Sequence, residues 1–98
     1  MSLNTQQIKT LKKLAHHLKP VVMLGQLGIS ENLINEIDSS LAAHELIKVK
    51  LAGSERTERH AVAQRICRQV EAELIQIIGQ IAVLYRANPD KKKNRIVI

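Results

Sequence analysis

The chain has 98 residues, which suits one compact domain and leaves little room for a second. It carries a formal net charge of +6 and a sequence pI near 9.8, so its surface favours polyanions, a nucleic acid or an anionic membrane, unless the charge serves solubility alone. Hydrophobic residues make up 45 % of it, almost all aliphatic, with Tyr85 the sole aromatic; this leaves little for the aromatic stacking by which many proteins read bases.

Asn4 or Thr5 can cap a first helix, whose apolar residues Ile8, Leu11, Ala15 and Leu18 recur at helical spacing until Pro20 closes it. Lys9, Lys12, Lys13 and His16 flank that stripe with no acid among them. Two readings fit: a solvated flank or an anion-seeking surface. "VVML" at 21–24 is a continuous apolar run with β-branched residues, which predicts a buried strand. Ser30 then caps a helix through His44, with Ile34, Ile37 and Leu41 on its inner stripe and Glu31 complementing the dipole.

"ELIKVKL" alternates, placing Ile47, Val49 and Leu51 on one face and Lys48 and Lys50 on the other. This predicts a strand with one face in water. Gly53 breaks the chain, and Ser54 or Thr57 caps a third helix that continues over 60–73 and carries Val62, Ile66 and Val70. Residues 74–86 read as two strands turned at Gly79–Gln80, with a helix over 71–78 as the alternative. A turn at Pro89, the basic cluster Lys91, Lys92, Lys93 and Arg95, and a final extended piece complete the chain. The tail from about residue 88 adds contacts to a polyanion or is simply solvated.

The order αβαβαββ predicts an α+β fold with a four-stranded mixed sheet. The strand-helix-strand sequence favours parallel pairing, and the hairpin makes the last strand antiparallel. With Lys48 and Lys50 in water, the helices are expected on the opposite face only, giving a two-layer sandwich.

Charge is segregated by element. Residues 1–29 hold Lys9, Lys12, Lys13 and Lys19 and no acid, whereas residues 30–45 hold Glu31, Glu36, Asp38 and Glu45 and no Lys or Arg. Between the basic and acidic segments lies Gly25-Gln26-Leu27-Gly28. Two glycines let a backbone approach a ligand closely, and a following helix start offers unpaired N–H groups suited to phosphate. The plainer reading is a tight turn in which a glycine supplies a positive φ.

Other chemistry finds little support. No Gly-Lys-Ser/Thr follows the glycines, and no third glycine completes a dinucleotide fingerprint. His16, His17, His44 and His60 lack metal-ligand spacing, so neither a metal nor a cofactor is expected. Cys67 falls on an apolar helix side, where a structural thiol is expected, and its solitude excludes an intrachain disulfide. Without a catalytic constellation, an enzyme is not expected. No apolar run resembles a signal peptide or a membrane span, so a cytoplasmic protein with no membrane partner is the expectation.

"LKPVVMLGQLGIS", "EIDSSLAAHELIKVKLAG" and "QIIGQIAVLYR", in that order, resemble the CRM domain family in its stand-alone bacterial YhbY-type form. The resemblance covers roughly residues 5–87. It implies a single domain similar to the C-terminal domain of translation initiation factor 3, with strand order 1-2-4-3. It also implies noncatalytic RNA binding, to ribosomal RNA or precursors of the large ribosomal subunit, in ribosome assembly. The expected RNA-binding residues are the loop Gly25, Gln26, Leu27 and Gly28, together with Lys9, Lys12, Lys13, His16 and Lys19. The alternative is a protein-interaction module that docks on a ribosomal protein through the acidic second helix or the open sheet face.

Overall fold

A computed structural model describes residues 3–25, 28–52, 55–91 and 95–98. The chain order is α1 (Thr5–Ala15), β1 (Pro20–Met23), α2 (Glu31–His44), β2 (Leu46–Lys50), α3 (Arg59–Val70), β3 (Glu73–Ile78) and β4 (Ile81–Tyr85). The sheet runs β1-β2-β4-β3. β1 is parallel to β2, and β4 is antiparallel to both of its neighbours. The fold class, the strand order and the single reversed strand are as expected.

Local chemistry accounts for most element ends. Asn4 caps α1 in a reciprocal box: its Oδ1 accepts the Gln7 N–H at 2.8 Å, and the Gln7 Oε1 accepts the Asn4 N–H at 3.0 Å. Ser30 caps α2 by accepting the Leu33 N–H at 3.1 Å. Pro20 opens β1, where an edge strand tolerates the missing N–H. In the hairpin only Gly79, the first turn residue, has a positive φ among the two, at 57°, the pattern of a type II′ turn. Residues 73–78 are thus strand, and the helical alternative is set aside.

Three local expectations are corrected. α1 stops at Ala15, because the Leu18 N–H reaches back only three residues, to the Ala15 carbonyl at 2.9 Å, and turns the chain early. α3 begins at Arg59 behind Glu58 with no side-chain cap, so Thr57 does not serve; Gly53 and Ser54 lie outside the described residues. α3 also ends at Val70, where Glu71 takes a left-handed conformation at φ 56° and the Ala72 N–H closes on the Cys67 carbonyl.

The larger correction concerns layers. Val22, Leu24, Ile47, Val49, Ala82 and Leu84 face α2 and α3, forming the main core with Ile37, Leu41 and Ile66. The alternate residues Leu46, Ile75, Val83 and Tyr85 face the other way and are buried by Leu11 and Ala15 of α1. α1 therefore lies on the face opposite α2 and α3, so the helices do not share one face. Lys48 and Lys50 signalled an open face, but Leu46, Val83 and Tyr85 on the same side needed cover, and α1 has the apolar stripe to supply it. The result is a sheet covered fully on one side and partly on the other.

The chain beyond β4 is also held down. Ile96 and Ile98 pack against the α1 core, and buried Glu45 accepts the Asn88 N–H through Oε2 at 2.8 Å and the Ile96 N–H through Oε1 at 2.9 Å. Lys92, Lys93 and Asn94 lie outside the described residues.

Candidate nucleic-acid interface

The Gly-x-x-Gly loop leaves β1 at the sheet edge. The Leu24 N–H donates to the Lys50 carbonyl at 2.7 Å, which pins the loop's entry to the end of β2. The Gly28 N–H closes on the Gly25 carbonyl at 3.1 Å, and two residues later Ser30 starts α2. Gln26 and Leu27 lie outside the described residues.

The two glycines differ. Gly28 has a φ of 69°, which a side chain would strain, so the turn itself accounts for this glycine. Gly25 has no positive φ, and a Cβ built there meets nothing within 4 Å. Neither backbone conformation nor packing requires glycine at position 25. What its missing side chain provides is an exposed backbone that another molecule can approach closely.

The charge around this loop comes from several elements. Glu31 in the first turn already complements the positive end of α2, which disfavours a second anion there. Because β1, β2 and β3 run the same way, their C-terminal ends lie together, and the Leu51 N–H joins β2 to the hairpin at the Gln80 carbonyl, 2.6 Å away. This end carries Lys50, Arg56, Arg59 and His60 interleaved with the exposed Glu55 and Glu58, with the Arg59 Nη1 donating to the Gly79 carbonyl at 3.0 Å. Sequence reasoning did not include Lys50, Arg56 or Arg59 among the expected site residues. The signal was available, since parallel strands gather their C-terminal ends at one edge.

The expected residues of α1 stand elsewhere. Lys9, Lys12, Lys13 and His16 are exposed and point away from buried Leu11 and Ala15. Lys19 precedes β1, whereas the loop follows it, so roughly 13 Å of strand, at about 3.3 Å per residue, separates them. The α1 stripe and the loop are thus joined only across the uncovered part of the sheet. That part carries Lys48, whose Nζ donates to the Leu18 carbonyl at 3.0 Å, and Lys50. Tyr85 is 3 % exposed beneath α1 and is not available to stack on a base.

Burial, and secondarily the Glu73 carboxylate, push the Cys67 thiol up to about 11, so it is protonated at neutral pH. Among the described residues no group of three His, Cys, Asp or Glu side chains is placed to hold a metal ion, and no helix is long and apolar enough to cross a membrane.

The chain is 47 % identical over 91 residues to a Haemophilus influenzae protein named "RNA-binding protein", covering 93 % of this chain and 92 % of that one. It is 44 % identical over 94 residues to a Pseudomonas aeruginosa protein named "Probable RNA-binding protein", covering 96 % and 90 %. The solution structure of a Staphylococcus aureus protein superposes with a TM-score of 0.81 at 34 % identity, covering 94 % of this chain and 96 % of that one. The family profile of the CRS1 / YhbY (CRM) domain matches residues 3–86, and the chain belongs to that family.

Proposed function

We propose that this protein binds RNA without catalysing a reaction, and that its target is ribosomal RNA within precursors of the large ribosomal subunit. The observation that carries the reading is Gly25: an exposed glycine that neither the fold's packing nor its backbone angles require. Relatives named as RNA-binding proteins support the ligand class. The ribosomal target and a cytoplasmic setting rest on the resemblance carried by the three sequence blocks.

In this reading the Gly25–Gly28 backbone, with Gln26 and Leu27 between, meets the sugar-phosphate chain. Lys50, Arg56 and Arg59 supply positive charge at the same end of the sheet. The strand then continues over the uncovered sheet towards Lys12, Lys13, His16 and Lys9, with Lys19 at the far end. With the single aromatic buried, recognition depends on shape and phosphate more than on ring stacking. Neither a cofactor nor a metal has a part in this scheme. A second reading, docking on a ribosomal protein, draws on Met23 and Ile78, which are 60 % and 57 % exposed.

Affinity for a structured ribosomal RNA fragment, measured across a salt series, tests the proposal. Removing two phosphate contacts with Lys12→Glu/Lys13→Glu should flatten the dependence of log K on log salt by about two. Gly25→Ala should weaken binding without changing the melting temperature. Variants that bind like wild type, with no preference for RNA over a neutral polymer, would sink the RNA reading. Loss of ribosome association on changing Met23 and Ile78 to Ser, with RNA affinity intact, would favour the docking module.

A further inference from the structure

A groove of about 500 Å³ opens where the C-terminal end of α1, the edge strand β1 and the C-terminal end of α2 meet. Leu14, Leu18 and Val21 line it, and they are 44 %, 38 % and 48 % exposed. Single exposed aliphatic residues are ordinary on a soluble protein. Three of them around one concavity, on different elements, form an apolar site that the fold itself leaves unfilled.

The groove is preformed. α1 ends at Ala15, and the Leu18 N–H turns back to the Ala15 carbonyl. The Lys48 Nζ then holds the Leu18 carbonyl at 3.0 Å, fixing the turn that presents Leu18. The rim is basic: Lys19 and Lys91 stand on it beside the His44 ring, and no acidic side chain is among the described lining residues. Glu45 lies close in sequence, but its carboxylate is buried and occupied by the Asn88 and Ile96 N–H groups. The exposed Lys12, Lys13 and His16 of α1 continue the positive surface outward from the same end of the helix.

An apolar slot with a basic rim matches a flat, weakly polar ring that carries anionic groups at its edge. We infer that this groove holds one unstacked RNA base between Leu14, Leu18 and Val21, with Lys19 and His44 meeting the phosphates on either side. The inference rests on the RNA-binding reading and deepens it. It gives a chain whose single aromatic is buried a way to engage a base, by aliphatic packing in place of ring stacking. It also predicts a preference for single-stranded or looped RNA, because a base inside a duplex cannot be splayed out at little cost.

The test compares two RNAs and a control. The full-length protein, labelled with ¹⁵N, is titrated with a short oligoadenylate RNA, with a paired RNA duplex of equal charge, and with inorganic polyphosphate. The oligoadenylate should shift the amides of Leu18, Lys19, Val21 and His44, and polyphosphate should leave Leu18 and Val21 in place. Leu14→Ser/Leu18→Ser, which keeps the charge and alters two partly exposed positions, should lose about tenfold in single-strand affinity while duplex affinity stays within about twofold. RNA that shifts only the loop at Gly25 and Gly28, with the double variant binding both RNAs like wild type, overturns the groove and leaves the RNA reading intact. If neither RNA binds, both fail. Should the double variant not fold, the wild-type amide shifts decide alone.

Discussion

Glu45 and Ile96, 51 positions apart, are joined by a backbone N–H donated to a fully buried carboxylate at 2.9 Å. The other oxygen of that carboxylate accepts the Asn88 N–H at 2.8 Å. Glu45 sits where α2 passes directly into β2, at a positive φ of 65°, and its own carbonyl accepts the Arg86 N–H. One residue thus makes the helix-to-strand corner and fastens the C-terminal segment.

This clasp should be visible in stability against pH. Burial raises the Glu45 pKa, but the two N–H donors, together with the Lys91 and Arg95 charges, outweigh it and hold the carboxyl below its ordinary value of 4.5. A depressed pKa stabilises the fold fully above the unfolded value, and that stability is lost as pH falls through the lower, folded value. Glu45→Gln leaves one buried N–H facing an amide donor and should cost about 1–3 kcal/mol at neutral pH. Urea melts at stepped pH should show the gap narrowing below pH 4.5; a pH-independent gap would count against the carboxylate's role.

Arg86 and Asp38 offer a contrast of partners. The guanidinium Nη1 donates to the Asp38 carboxylate at 2.6 Å and to the Val70 carbonyl at 2.8 Å, and Nη2 donates to the Asp38 carbonyl at 3.0 Å. Asp38 is largely exposed, so its side chain adds little, whereas the carbonyls of Val70, at the C-terminal end of α3, and of Asp38, within α2, tie the chain after β4 to both helices. Asp38→Ala should cost under about 1 kcal/mol and Arg86→Lys about 1–2 kcal/mol, because a lysine cannot reproduce the fork. Equal losses in chemical denaturation would show that the ion pair, and not the carbonyl contacts, dominates.

The loop glycines should separate folding from binding. Gly28→Ala forces a side chain into a φ of 69° and should destabilise by about 1–2 kcal/mol. Gly25→Ala should melt like wild type, since a Cβ there meets open space. A clear drop in melting temperature for Gly25→Ala would contradict this account of position 25.

Cys67 should be inert. Burial and then Glu73 raise its thiol to about 11, so little thiolate exists at pH 8. Iodoacetamide followed by mass spectrometry should label the native protein far more slowly than the urea-unfolded chain. Equal rates would mean that the thiol is accessible and reactive.

Much of this protein was legible in its residues. The caps at Asn4 and Ser30, the alternation of Ile47, Val49 and Leu51, and the Gly79 turn are local chemistry, decided within a few residues, and they yield the element order and the reversed last strand. The three motif blocks carry the family. Where local signals were weak, at the start of α3 and the end of α1, the boundaries moved by a few residues.

Tertiary structure alone decided which face each helix covers. Two lysines on β2 argued for an open face, but burial is a property of the whole sheet, and Leu46, Ile75, Val83 and Tyr85 come together on that face only once three strands pair. The same pairing gathers Lys50, Arg56, Arg59 and His60 at the loop's end and leaves the α1 lysines at the other. It brings Leu14, Leu18 and Val21 around one groove and puts Ile96 against Glu45. Spacing along the chain sets what each element is, whereas long-range pairing sets which side chains share a surface.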